Sequence, residues 1–279
     1  MKKHSLADLV ANTSAGLLSI CKCLLKSRRP SLPKGDGKDR PMIILANGPS
    51  LRETLDKRLD DLRKFDTLTV NFAPNTPDFT NIKPNYHLLA DPHFFEGREK
   101  DPNVGRLWDN LGKVDWKMTL LVPVGRGGSL PPLPGCVSVK TFNMTPAEGS
   151  DSIIFPLFDL GVATPRPRNV LIPSLMAAIR LGYTTIYIAG ADHTVSKTLS
   201  VDDQNRVVSI QPHFYADSKK ELDRVATEYA GYHLHDILNS LTIAFRSYHV
   251  VRAYADSRHV RIINATPGSM IDAFERGQF

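Results

Sequence analysis

Residues 43–51 read IILANGPSL, four apolar residues that run straight into Asn-Gly-Pro-Ser. A helical pattern begins at once: in "SLRETLDKRLDDLRKF" the leucines Leu51, Leu55, Leu59 and Leu62 share one face. A strand that turns tightly into an amphipathic helix is the first half of a βα unit, which predicts an α/β fold with a mainly parallel sheet. Ser50 and Glu53 have the spacing of a capping box at the helix start. The Gly-Pro pair forces a tight turn, Gly48 lets a ligand approach the backbone, and the free N–H groups after Ser50 attract an anion. Such a loop suits a nucleotide, and the same four residues also make an ordinary strand-to-helix turn. Neither "GDGKDR" nor "GRGGSLPPLPG" has the spacing of a Walker loop, and no G-x-G-x-x-G follows a strand.

Outward from this unit, "TLTVNF", "YHLLAD", "MTLLVPV", "CVSVKTF", "TTIYIAG" and "HVRIINAT" read as further strands, with "LIPSLMAAIRLG" and much of 219–248 as helices. Several strands end in a polar residue or glycine: Asn47, Asn71, Asp91, Gly190 and Asn264. Ligands of open α/β sheets bind beyond those carboxyl ends.

The 279 residues, 42 % of them hydrophobic, suffice for a full core. No apolar run reaches the roughly 18 to 20 residues of a membrane span, so none is expected to cross a bilayer. Three cysteines, two in "CKC" and one at Cys136, form neither a disulfide framework nor a zinc spacing, which fits a reducing cytoplasm. The net charge of +6 is modest, and no nucleic-acid partner is expected. Lys2, Lys3, Lys22, Lys26, Arg28 and Arg29 bracket "LADLVANTSAGLLSICKCLL", a segment of helical apolar spacing. Its alternatives are packing on its own domain, packing on a twin subunit in a homo-oligomer, and an anionic membrane surface to which the chain is peripheral. Asn12, Thr13 and Ser14 interrupt it, which argues against a secretory signal. Residues 27–41 have the Pro, Gly and charge content of a linker, so the chain divides into a helix and linker over 1–40 and a folded domain over 41–279.

"ILANGPSL", "VNF", "LLADPHFFEG", "AIRLGYTTIYIAGADH" and "HFYADSKK" resemble, in order and in spacing, motifs of the bacterial sialyltransferases of glycosyltransferase family 42. Broader relatives are the domain-of-unknown-function 115 proteins, the flagellin-modifying motility accessory factors and an archaeal pterin pyrophosphokinase. The resemblance implies a single Rossmann-like nucleotide-binding domain with a small lid, here about 191–216. It implies transfer of sialic acid from a CMP-sugar donor to a glycan or glycolipid acceptor, with no metal and no other cofactor. The nucleotide-contacting positions it implies are Asn47, Ser50, Asn71, Asp91, Gly190 and Asp192, which join Gly48 of the tight turn. Asp91 replaces an asparagine of the family and loses an amide donor. In place of lid tyrosines stand His193, Thr194 and Lys197, which could offer donors to a departing phosphate. In "HFYAD" the family's catalytic histidine is replaced by Asp217, which leaves Asp217 and His213 as alternative general bases, with Tyr215 between them. The alternative functions are an ATP- and magnesium-dependent pyrophosphokinase and a non-catalytic nucleotide-binding assembly protein.

Plainer expectations attach to other features. His233 and Asp236 of "YHLHD" share a helical face without a third metal ligand, the acids of "LDDL" and "VDDQN" suit solvated turns, and Phe94 and Phe95 suit packing.

Overall fold

The computed structural model describes residues 6–98, 100–128, 130–209 and 231–279. Eight strands form one sheet: β1 (Met42–Leu45), β2 (Asp66–Val70), β3 (Tyr86–Leu88), β4 (Met118–Pro123), β5 (Val137–Phe142), β6 (Thr185–Ala189), β9 (Arg261–Asn264) and β10 (Glu275–Arg276). Their order is β10-β9-β6-β1-β2-β3-β4-β5, and every neighbouring pair is parallel. All four residues of β1 are buried, as both faces of a parallel sheet require. Their side chains alternate: Met42 and Ile44 join the core on one face, Ile43 and Leu45 the core on the other. The chain builds outward from β1 through β2 to β5, then crosses back to place β6 on the opposite side of β1. That reversal makes the gap between the ends of β1 and β6 the topological switch point.

On one face lie α1 (Leu6–Lys26), α6 (Asp151–Leu160), α7 (Leu171–Arg180) and α9 (Leu234–Ser257). On the other lie α2 (Ser50–Arg58), α3 (Pro77–Ile82), α4 (His93–Glu96) and α5 (Pro102–Leu111). Residues 191–209 hold α8 (Val195–Thr198) and an antiparallel hairpin of β7 (Leu199–Val201) with β8 (Val207–Ser209). The rest of the expected lid falls outside the described residues.

Four expectations need correction. Residues 27–41 are docked rather than free. Leu32 is buried and its N–H bonds the carbonyl of Thr141 on β5, Ser31 bonds the Thr141 hydroxyl, and Arg180 Nε donates to the Leu32 carbonyl at 2.9 Å. Composition reports the absence of regular structure, not the absence of contacts. The capping box is also absent: Pro49 already has helical angles, Ser50 lies inside α2, and Glu53 pairs with Lys57. Leu59 is exposed at the break between α2 and the 3-10 turn Asp60–Lys64, while Leu51, Leu55 and Leu62 are buried. Finally, Leu9–Lys26 of α1 is, by length and composition, long and apolar enough to cross a membrane. Asn12, Thr13 and Ser14 break any continuous apolar run but lower the average of an otherwise apolar helix only slightly.

Phe94 and Asp202 take the packing and turn roles expected of them, whereas His233 stands before α9 in an extended conformation rather than on a helical face with Asp236. Phe94 is buried in the core and its carbonyl accepts the Trp108 indole N–H. Asp202 accepts backbone N–H groups of Gln204 and Arg206 in the hairpin turn. Asp236 accepts the His233 N–H at the start of α9.

Candidate functional site

At the switch point the ends of β1 and β6 are in backbone contact. Ala46 donates to the Ala189 carbonyl at 2.9 Å and Gly48 to that of Gly190 at 2.7 Å. A Cβ on Gly48 would lie 2.0 Å from Asp192 Oδ2 and 2.5 Å from the Gly190 carbonyl oxygen. Gly190, with φ of 73°, is similarly closed by Ala46 and Leu51. Only glycine fits either position, so the close approach at Gly48 is to Asp192 and Gly190 of the same chain.

Asp192 brings a carboxylate to the place where β1 and β6 meet. Its Oδ2 accepts from Ser50 Oγ at 2.9 Å and from Ser50 N at 3.4 Å. The carboxylate therefore takes the place at the start of α2 that an incoming anion was expected to fill. Among the described residues no group hydrogen-bonds its Oδ1, which is not buried, so this oxygen is available there as an acceptor of hydroxyl groups. The turn after β9 holds this carboxylate in place. Thr266 Oγ1 accepts from Ala191 N at 3.0 Å, Ser269 Oγ donates to the Ala191 carbonyl at 2.7 Å, and Met270 N donates to the Asp192 carbonyl at 2.9 Å. Asn264, buried at the end of β9, braces that turn through Ser269 Oγ and Thr266 N.

His193 follows with φ of 53°, a left-handed conformation that non-glycine residues adopt rarely and at a cost. Its Nε2 lies 3.0 Å from the hydroxyl of Tyr248 on α9, which is 3.1 Å from Asn169 Oδ1. Asn169 Oδ1 also accepts the N–H groups of Leu171 and Ile172 at the start of α7, which fixes it as the oxygen. Tyr248 must then donate to Asn169 and accept from His193, so the imidazole carries its proton on Nε2. Burial pushes its pKa down to about 4 and raises that of Tyr248, so both stay neutral near pH 7. His193 thus offers Nδ1 as an acceptor, and its one N–H is already engaged.

The remaining candidates spread along the same edge. Asn47 reaches the end of β2 through Nδ2 and the Val70 carbonyl at 3.2 Å. Asn71, with φ of 51°, donates its N–H to Leu88 of β3. Asp91 is exposed, and its Oδ1 accepts the N–H of His93 at the start of α4. Thr194 precedes α8 and accepts the Lys197 N–H through its carbonyl. From β6 to β3 the crevice spans three strand spacings, about 14 Å. His213, Tyr215 and Asp217 lie outside the described residues. Among the described residues no group of three His, Cys, Asp or Glu side chains converges as metal ligands would.

Sequence reasoning missed Tyr248, Asn169, Thr266 and Ser269. Asn169 carried a readable signal, an asparagine two residues before an apolar helix. Tyr248 carried none, since it reads as one more apolar residue of a long helix.

No protein-family model matches the chain, and neither does any curated protein. Among solved structures, the MAf glycosyltransferase from Magnetospirillum magneticum AMB-1 is similar over 95 % of this chain, with 11 % identity and a TM-score of 0.48. This chain spans 38 % of that protein. A mammalian sialyltransferase is similar over 77 % of this chain and 75 % of its own, with 11 % identity and a TM-score of 0.33.

Proposed function

We propose that this chain is a metal-independent glycosyltransferase. In this reading it moves a sialic acid, Kdo or related ulosonic acid from a CMP-linked donor to a cell-surface glycan or glycolipid, on the cytoplasmic side of a membrane. One observation supports it above the others. Two stretches that resemble the nucleotide-binding motifs of sialyltransferases, at Ser50 and Asp192, are 142 residues apart in sequence and hydrogen-bonded at the switch point. Doubly wound sheets bind nucleotides at that place.

The roles follow from donor and acceptor chemistry. Asp192 Oδ1 and His193 Nδ1, both acceptors, suit ribose or sugar hydroxyls rather than a phosphate, whose charge Asp192 would repel. Asn47 and Asn71 would meet the base. The acceptor hydroxyl would attack the anomeric carbon as the bond to the CMP phosphate breaks, and its proton would pass to His213 or Asp217.

A thermal-shift panel of CMP, CDP, UDP, GDP and ATP, each with EDTA and with magnesium, tests the reading. CMP with EDTA should stabilise the chain, by about 2.7 kcal/mol at a hundred times its Kd. A shift with ATP and magnesium alone would transfer the assignment to a pyrophosphokinase. No shift with any nucleotide would leave an assembly role.

A further inference from the structure

α1 is turned with its small residues inward and its large apolar residues outward. Gly16, Ser19 and Cys23 face the domain. A Cβ on Gly16 would lie 2.6 Å from Ile153 Cδ1, and one on Gly149 would lie 2.6 Å from Gly16 Cα, so backbone meets backbone there. Ser19 Oγ donates to the Glu148 carbonyl and accepts the Glu148 N–H. The opposite face carries Val10, Leu17, Leu18, Leu24 and Leu25, each more than half exposed. Exposure is greatest at the end of the helix, 79 % at Leu24 and 84 % at Leu25. A surface helix of a globular protein shows the reverse polarity.

Positive charge gathers at that same end. Lys22, Lys26, Arg28 and Arg29 fall within or just after the last turns, and none pairs with an acid among the described residues. Elsewhere most arginines are matched, as Arg52 is by Asp78, Arg58 by Asp61 and Arg261 by Glu275. Leucines without a core beside cations without counter-ions match a layer of acyl chains beneath anionic headgroups.

We propose that the outward face of α1, Leu17, Leu18, Leu24 and Leu25 with Lys22, Lys26, Arg28 and Arg29, docks the protein on an anionic lipid bilayer. The helix lies along the surface, its Gly16, Ser19 and Cys23 face still on the domain. Docking rests on α1 alone and is independent of the transferase reading, because vesicle binding is measured without nucleotide.

The test is flotation of the full chain with phosphatidylcholine vesicles that contain about a third phosphatidylglycerol, and with phosphatidylcholine alone. The parent should float with the anionic vesicles. A variant with Leu17→Ser, Leu18→Ser, Leu24→Ser and Leu25→Ser should bind them at least about tenfold more weakly, as should one with Lys22→Gln, Lys26→Gln, Arg28→Gln and Arg29→Gln. An unchanged melting temperature shows that a variant is folded, and if the leucine variant melts early the glutamine variant decides. A parent that does not float, or folded variants that float as it does, would overturn the proposal. So would a parent that light scattering shows to be a dimer and a leucine variant that is a monomer, since the face would then belong to a second copy.

Discussion

Gly48 and Asp192 show how little freedom the site leaves at the scale of single residues. A methyl group at position 48 must displace either the Asp192 carboxylate or the backbone of Gly190. Gly48→Ala should therefore cost on the order of 1 to 3 kcal/mol in urea unfolding, the scale of an overpacked core. A loss within about 0.3 kcal/mol would mean that the two strand ends are farther apart than described. Tyr248→Phe keeps the buried ring but strands the His193 Nε2–H and one acceptor site of Asn169. It should lower stability by about 1 kcal/mol, and the parent should show His193 as the neutral Nε2–H tautomer at pH 6 in nitrogen-15 NMR. An imidazolium signal at that pH would contradict the relay. Asp192 was reached through the family resemblance alone, and its ties to Ser50 and Met270 were not legible, because residues far apart in sequence announce no pairing.

Among the elements, β3 carries a second buried imidazole. His87 bonds the Thr69 hydroxyl on β2 through Nδ1 at 2.9 Å, and its Nε2 is buried without a partner. Burial pushes its pKa down to about 3. Between that value and the ordinary histidine value of about 6.5, the unfolded chain binds a proton that the folded chain refuses. This contribution to stability is complete above about pH 6.5 and is lost as the pH falls toward 3. His193 acts in the same direction. The melting temperature should therefore fall more steeply between pH 7 and 4.5 in the parent than in His87→Gln. Parallel curves would show that His87 is not protonation-linked to folding. Strands were the most readable elements, since short β-rich runs marked β1 through β6 and β9, five of them ending at or shortly before a polar residue or glycine. α5 and α6 are absent from the elements legible in the sequence: Pro102 and Gly105 obscure the first, and Pro156 lies within the second. The start of α2 was misjudged because Ser-x-x-Glu also occurs one residue inside a helix, where the serine side chain is free for a tertiary partner.

For the whole molecule, alternation of strands and helices was enough to predict a parallel sheet, but not its order. That order depends on the crossover between β5 and β6, through α6 and α7, which returns the chain to the far side of β1. The docked segment before β1 was equally hidden. Its anchor is Arg180 of α7, which donates to the carbonyls of both Leu32 and Asp159. Removal of residues 1–38 would take Cys23 and Leu32 out of the core and should lower the melting temperature by several degrees. A truncated chain that melts with the parent would show that this segment bears no load.

The central claim is that the crevice between β1 and β6 receives a nucleotide, with Asp192 as an acceptor for its hydroxyl groups. Calorimetric titration of CMP in EDTA into the parent and into Asp192→Asn tests it most directly. Asparagine keeps the shape and the bond to Ser50 but gives up the charge and one acceptor. The account predicts saturable binding by the parent and an affinity at least about tenfold lower in the variant, some 1.4 kcal/mol. Equal affinities in the two proteins, or no heat with CMP in either, would contradict it.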